Sequence, residues 1–259
     1  MHDFQRALGA VARVLIGLAI LCQADAVYGS SFTVSPTIIE LTSRARTALL
    51  TIRNESGETL RFQLTVFVWS QRPDGEMELT PTEDIVFFPT LFAVEPKQDR
   101  RVRVGLGTAT LFGPSEKSYR IFVEELPSAQ AAPQAAGSEI KVLTRMGLPI
   151  FLRPVSPKSS ASLSDLGLRD GRAEFDLRNT GNIHLIPREA RISGFGERGD
   201  RLFVSDLQSW YVLAGGARHY AVDLTGGQCQ QVRRLEVEFG FESATLKDRL
   251  ETPGGVCRP

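Results

Sequence analysis

Gly194-Phe195-Gly196-Glu197-Arg198-Gly199 has the G-x-G-x-x-G spacing that lets a backbone approach a pyrophosphate at the N-terminus of a helix. Here the glycines run into the strand-like segment Asp200 to Val204. No helix follows to offer its amides, and the stretch reads as a hairpin turn. His184 and His219 stand at no metal-ligand spacing from a cysteine or from each other. Asn54-Glu55-Ser56 matches a glycosylation sequon and equally an ordinary turn, which is the reading adopted. The chain has no G-x-S-x-G elbow, and no pair of carboxylates stands out from the acids that flank strands. The sequence gives no positive sign of an enzyme, and no cofactor or metal is expected.

The cysteines are the other reactive groups. Cys22 lies in a segment that reads as a signal peptide, residues 1–26: Arg6 and Arg13, the apolar run Val14 to Leu21, and the small-x-small pattern Ala24-Asp25-Ala26. Export leaves Cys229 and Cys257, an even pair in an oxidising compartment, open to a disulfide or to two separate thiols. A disulfide would close a loop of about 28 residues, worth on the order of 3 kcal/mol. No later segment approaches the roughly 20 apolar residues needed to span a bilayer, so membrane insertion is not expected.

The elements that must position any site are strands. The 259 residues carry 30 basic and 30 acidic side chains with 42% apolar content, which excludes a disordered chain and a nucleic-acid binder held by bulk charge. Period-two alternation dominates: Leu60, Phe62, Leu64, Val66 and Val68; Ala48, Leu50 and Ile52; Val102, Val104 and Leu106. With Phe32 to Leu41, Ile85 to Phe88 and Tyr119 to Val123, these make about seven strands, the spacing of an immunoglobulin-like sandwich. The small and polar residues Pro127 to Ser138 form a loop. A second sandwich is expected from Phe175-Leu177, Ile183 to Ile186, Leu202 to Val204, Trp210 to Leu213, Tyr220 to Leu224 and Leu235 to Phe241. The reading is all-β: residues 27–154 form one sandwich and 155–259 another, joined rigidly at Pro154.

After the loop comes the longest alternating run, Ile140, Val142, Thr144, Met146, Leu148, Ile150 and Leu152, interrupted by Pro149. A proline donates no ladder hydrogen bond, so this strand belongs at a sheet edge. An apolar edge is an aggregation hazard, and its presence suggests pairing with another chain by strand addition. The alternative is an ordinary core strand of the first sandwich. Periodicity does not separate the two.

In order and spacing, Phe32-Thr33-Val34-Ser35-Pro36, Leu50-Thr51-Ile52-Arg53-Asn54, Phe88-Pro89 through Val102-Arg103-Val104, Tyr119-Arg120-Ile121, Pro149-Ile150-Phe151 with Arg153-Pro154, and Asn179-Thr180-Gly181-Asn182-Ile183-His184 resemble the periplasmic pilus-assembly chaperones of the chaperone/usher pathway. Trp69-Ser70-Gln71 and Leu79-Thr80-Pro81-Thr82 are similar to the archaic, spore-coat-U-like branch. The resemblance covers essentially all of the chain after the signal segment. It implies two immunoglobulin-like β-sandwich domains in an L-shaped arrangement. It also implies donor-strand complementation, in which the chaperone lends a strand to a fimbrial subunit that lacks one and passes the subunit to an outer-membrane usher. By this resemblance the donor face is Ile140, Val142, Thr144, Met146 and Leu148. A dimer capping its own edge is a further partner of the same kind.

The better-known branch holds the subunit's terminal carboxylate with two cations, at positions that match Thr37 and Pro149 here, neither of them charged. Arginine is the best-shaped replacement, and Arg120 and Arg145 are the candidates, with Arg103 third; solvent-facing strand charge is the other reading of each. Glu116 and Arg153 match family positions that form a charged contact between the domains. The competing class is a secreted adhesin or pilus subunit. It would carry its own donor extension near the mature N-terminus, for which Val27 to Ser31 is too short.

Overall fold

The computed structural model describes residues 31–127, 142–242 and 244–252. The expected signal segment, Ile140 and Cys257 lie outside them.

Ten strands build the first sandwich: β1 (Phe32–Ser35), β2 (Ile39–Leu41), β3 (Thr47–Asn54), β4 (Leu60–Gln71), β5 (Met77–Pro81), β6 (Ile85–Phe88), β7 (Leu91–Val94), β8 (Asp99–Leu106), β9 (Lys117–Leu126) and β10 (Arg145–Leu152). One sheet has the order β1-β3-β8-β6; the other has the order β2-β10-β9-β4-β5, with β7 also paired to β4. Alternation sends Leu50 and Ile52 of β3, Leu60, Phe62 and Leu64 of β4, Val102 and Val104 of β8, and Tyr119, Ile121 and Val123 of β9 into one core. The opposite parity faces outward: Trp69 and Phe67 from β4, Arg120 and Phe122 from β9. Tyr119 reaches from this core to Asp84, and burial together with that carboxylate pushes its phenol well above the ordinary tyrosine range.

β10 supports both readings of the long alternating run, in different halves. It pairs antiparallel with β9 along its whole length, but with β2, in parallel, only from Ile150 to Leu152. Arg145 to Pro149 is therefore a sheet edge among the described residues, as a proline in the run requires. Leu148, Ile150 and Leu152 are core, and Met146 packs against it.

The second sandwich comprises β11 (Ala161–Arg169), β12 (Arg172–Asn179), β13 (Glu189–Phe195), β14 (Arg201–Asp206), β15 (Ala217–Asp223), the short helix α1 (Gly226–Gln231), β16 (Arg234–Gly240) and β17 (Thr245–Glu251). Its sheets run β11-β12-β15 and β14-β13-β16-β17. Phe175, Leu177, Ile192, Val212, Leu235, Val237 and Phe239 fill its core. Cys229, on α1, is buried and disulfide-bonded. The glycine-rich stretch is the β13–β14 hairpin: Gly196 donates to the Asp200 carbonyl and Gly199 takes a φ of 78°. Gly194 is packed so closely that a Cβ would lie 2.0 Å from the Phe203 ring.

The two expected strands Ile183 to Ile186 and Trp210 to Leu213 are reduced to a single bridge, Leu185 to Val212. Three strands of this sandwich gave no sequence signal, nor did β5 and β7 of the first. β11 is mixed and bulged between Ser164 and Gly167. β13 buries the small residues Ala190 and Gly194 along with Ile192, and β17 is an edge strand rich in charge. The helix was also unread, although Thr225 and Gln228 form a capping box at its start.

Both sandwiches use a buried asparagine to close the turn after a core strand. Asn54 Oδ1 accepts from the Ser56 amide at 2.8 Å, and Nδ2 donates to the Glu58 and Val94 carbonyls at 2.6 and 2.9 Å. That side chain is thus fully committed, which supports the turn reading over the sequon. Asn179 donates likewise to the carbonyls of Ile183, Val212 and Leu213 at 2.8, 2.9 and 3.1 Å. Asn179→Ala strands these acceptors in the interior, and equilibrium urea unfolding should show a loss of about 1–3 kcal/mol.

Candidate functional site

The site begins with the face of the six-stranded sheet that points away from its core. At the end nearest the second sandwich, Trp69 and Phe151 meet Leu213, with Leu79 and Tyr211 packed around them. His184 stacks on Phe151 with ring centroids 3.7 Å apart. Glu116, whose side chain is fully buried, receives the His184 amide at 2.9 Å and lies 2.8 Å from His184 Nδ1. Gln71 Nε2 donates to the Tyr211 carbonyl at 2.8 Å, the His219 amide to the Pro73 carbonyl at 2.7 Å, and Asn182 Nδ2 to the Pro114 carbonyl at 2.8 Å. Glu116 therefore does reach across the joint, but to His184. Arg153 does not: it pairs with Glu40 of β2 at 2.8 Å, inside its own sandwich, because the parallel β2–β10 ladder sets the two side by side.

Arg120 sits just beyond this joint, opposite Pro149 of β10 and Phe67 of β4. It is 8% exposed, and its guanidinium lies 4.6 Å from the Trp69 ring centroid and 5.9 Å from that of Trp210, a residue of the second sandwich. Its Nε and Nη1 are buried with no hydrogen-bond partner, and so is the indole Nε1 of Trp69. Nη2 is the guanidinium nitrogen that is not sealed. Burial pulls the Arg120 pKa below its ordinary value, with Tyr211 opposing the shift. Buried donors of this kind are normally paired, and here the cluster holds donors without an acceptor. A carboxylate reaching Nη2 supplies an acceptor and the compensating charge at once.

The other candidates separate clearly. Arg145 lies on the same face, half exposed over the Phe122 ring at 4.0 Å and 3.4 Å from Glu124. Between it and Arg120 runs Gly147, where a Cβ would come within 2.8 Å of the Phe122 ring and 3.4 Å of Arg120 Nε. Glycine is needed there for the two side chains to lie across β10. Arg103 is excluded from the cleft: it is on β8, level with Leu49 and Phe88 on the outer face of the other sheet. Thr37 is exposed where the chain passes from β1 to β2.

On the expected donor face, Leu148 is 4% exposed within the first core and Met146 packs against the same core. These two side chains are spent on the chain's own fold. Val142 is 72% exposed and Thr144 is partly so. The Glu125 amide donates to the Thr144 carbonyl at 2.9 Å, carrying the ladder one residue past β10. A groove of about 750 Å³ lies at the opposite edge between β4 and β6; its lining includes Leu64, Val66, Phe87 and Glu83 but no cation. It is no place for a carboxylate. Sequence alone did not mark Trp69 or Trp210 as site residues, since nothing in a linear pattern couples positions 69, 120 and 210.

Two immunoglobulin-like sandwiches, with Arg120 at their joint and the open half of β10 beside it, are the architecture of the two-domain pilus chaperones among the similar solved structures. Residues 31–158 match the family described as pili and flagellar-assembly chaperone, PapD N-terminal domain, and this segment belongs to that family. Similar solved structures include the CsuC–CsuE chaperone–tip adhesion subunit pre-assembly complex from the archaic Csu pili of Acinetobacter baumannii. There the TM-score is 0.55 at 16% identity, over 85% of this chain and 97% of the other. The Salmonella enterica SafA pilin in complex with the SafB chaperone gives a TM-score of 0.58 at 14% identity, over 87% and 99%. The Pseudomonas aeruginosa CupB2 chaperone gives 0.52 at 14%, over 85% and 100%. No curated protein matches the sequence.

Proposed function

We propose that this protein is a periplasmic chaperone that captures fimbrial subunits by donor-strand complementation and delivers them to an outer-membrane usher. The observation that carries the reading is the set of sealed, unpartnered donors at Arg120 beside the open half of β10. A subunit strand pairs with the Arg145–Pro149 edge and its continuation. Its C-terminal carboxylate enters the cleft and takes Arg120, with Arg145 at the rim. Val142 and Thr144, with Ile140 beyond the described residues, fill the subunit's open core, each large apolar side chain contributing roughly 1.5–3 kcal/mol. The match to the pilus-chaperone family, and the chaperone–subunit complexes among its structural likenesses, support this. The likeness to the CsuC–CsuE complex supports the archaic branch.

The test is co-expression with the fimbrial subunits encoded alongside, followed by affinity capture from the periplasm. A small β-rich partner should be recovered at one-to-one stoichiometry. Val142→Asp, which places a charge on the donor face of a residue that is exposed in the free protein, should lower recovery at least tenfold without changing thermal stability. Capture of no such partner defeats the proposal.

A further inference from the structure

Trp210 is one of the exposed large side chains of the second sandwich, at 40% exposure, yet it stands against the buried arginine of the first. It is held perpendicular to Tyr211, at 5.5 Å and 85°, and Tyr211 is itself locked against Trp69 at 5.3 Å. The guanidinium is thus flanked by an indole from each sandwich: Trp69, almost fully buried, at 4.6 Å and Trp210, half open, at 5.9 Å. No acceptor among the described residues fixes the plane of this guanidinium, because it makes no hydrogen bond. The two indole faces are what orient it, and a stacked guanidinium presents its donors in one plane, as a carboxylate requires.

Resting on the reading of Arg120 as the carboxylate anchor, we infer that Trp210 is a positioning residue for that anchor, so that the anion site is completed by the second sandwich and not by a second cation. Trp69 comes from the sheet that carries Arg120 and Trp210 from the second sandwich, so the two aromatic contacts of the guanidinium belong to different domains. A low-polarity aromatic neighbour strengthens an ion pair formed at Nη2. A lysine in place of Arg120 would lose both the planar fork and the stacking.

The test uses the full chain, with N-acetylglycine as a probe of a peptide carboxylate and N-acetylglycinamide as its uncharged control. Binding is followed through the Arg120 Nε–H and tryptophan indole N–H resonances. In the parent protein the acid should shift the Arg120 signal and the amide should not. Trp210→Ala should weaken the acid about three- to tenfold, from loss of one cation–π face, and Trp210→Phe should recover most of it. If the acid perturbs Arg120 no more than the amide does in the parent, the anchor reading itself fails. If the acid binds the parent but Trp210→Ala binds it equally well, or Trp210→Phe is as weak as Trp210→Ala, the positioning role fails while the anchor stands.

Discussion

Arg120→Ala should weaken subunit capture severely, and Arg120→Met should do the same while leaving the free protein no less stable than its parent. Truncating one partner of a buried, hydrogen-bonded charge pair costs about 2–5 kcal/mol of binding, a weakening on the order of 30-fold to several thousandfold. The free protein, by contrast, holds this cation with Nε and Nη1 sealed and unpaired, and burial disfavours its charged form. Removing it relieves that penalty and sacrifices the stacking on Trp69 and Trp210, worth about 1–2 kcal/mol. Arg120→Met, which keeps the volume, should therefore unfold in urea at the same midpoint or higher, by up to about 2 kcal/mol. Stability that is retained while binding is lost marks a group kept for function. A variant that unfolds readily but still captures its subunit would show Arg120 to be structural.

Phe151→Ala should have the largest effect on stability. Phe151 is fully buried at the joint, stacked on His184 at 3.7 Å and within 6.1 Å of Trp69 and 5.8 Å of Tyr211. Deleting a buried phenylalanine ring costs about 3–5 kcal/mol. The loss falls on the contact between two otherwise separate cores, one drawn from residues up to Leu152 and one from Leu168 onward. Calorimetry should then resolve two transitions where the parent shows one, and a single undivided transition would show that the sandwiches stay coupled without Phe151. Because the same aromatic cluster supports Tyr211 and Trp210, the variant should also lose carboxylate binding at Arg120.

The strands of the first sandwich were legible because large apolar residues alternate in β3, β4, β8 and β9, and one-sided burial requires that alternation. Those of the second were less so. β13 fills its core positions with Ala190, Ile192 and a glycine pressed against Phe203, and β11 is broken by a bulge, so packing there does not depend on a run of large side chains. Cys229 shows the same limit: compartment and an even count left a disulfide and two thiols both open, and its bonded state and its burial on the unread helix α1 come from the structure.

The donor strand divides the two kinds of knowledge within one segment. The sequence shows a single apolar run from Ile140 to Leu152, yet β2 pairs only with its last three residues; the pairing of Leu148 with Ile121 of β9 still places it in the core, whereas Val142, before β10, is exposed. Arg103 and Arg120 look alike in sequence, each set among β-branched and apolar neighbours; they end on opposite outer faces of the sandwich because β8 and β9 belong to different sheets. By itself, then, the sequence determined an all-β chain of two sandwiches, a long apolar run that could be edge or core, and a short choice of cations. Tertiary structure decided which cation works, because a buried arginine is defined by what surrounds it, and Trp69, Arg120 and Trp210 are brought together by two sheets and a domain joint that no local pattern encodes.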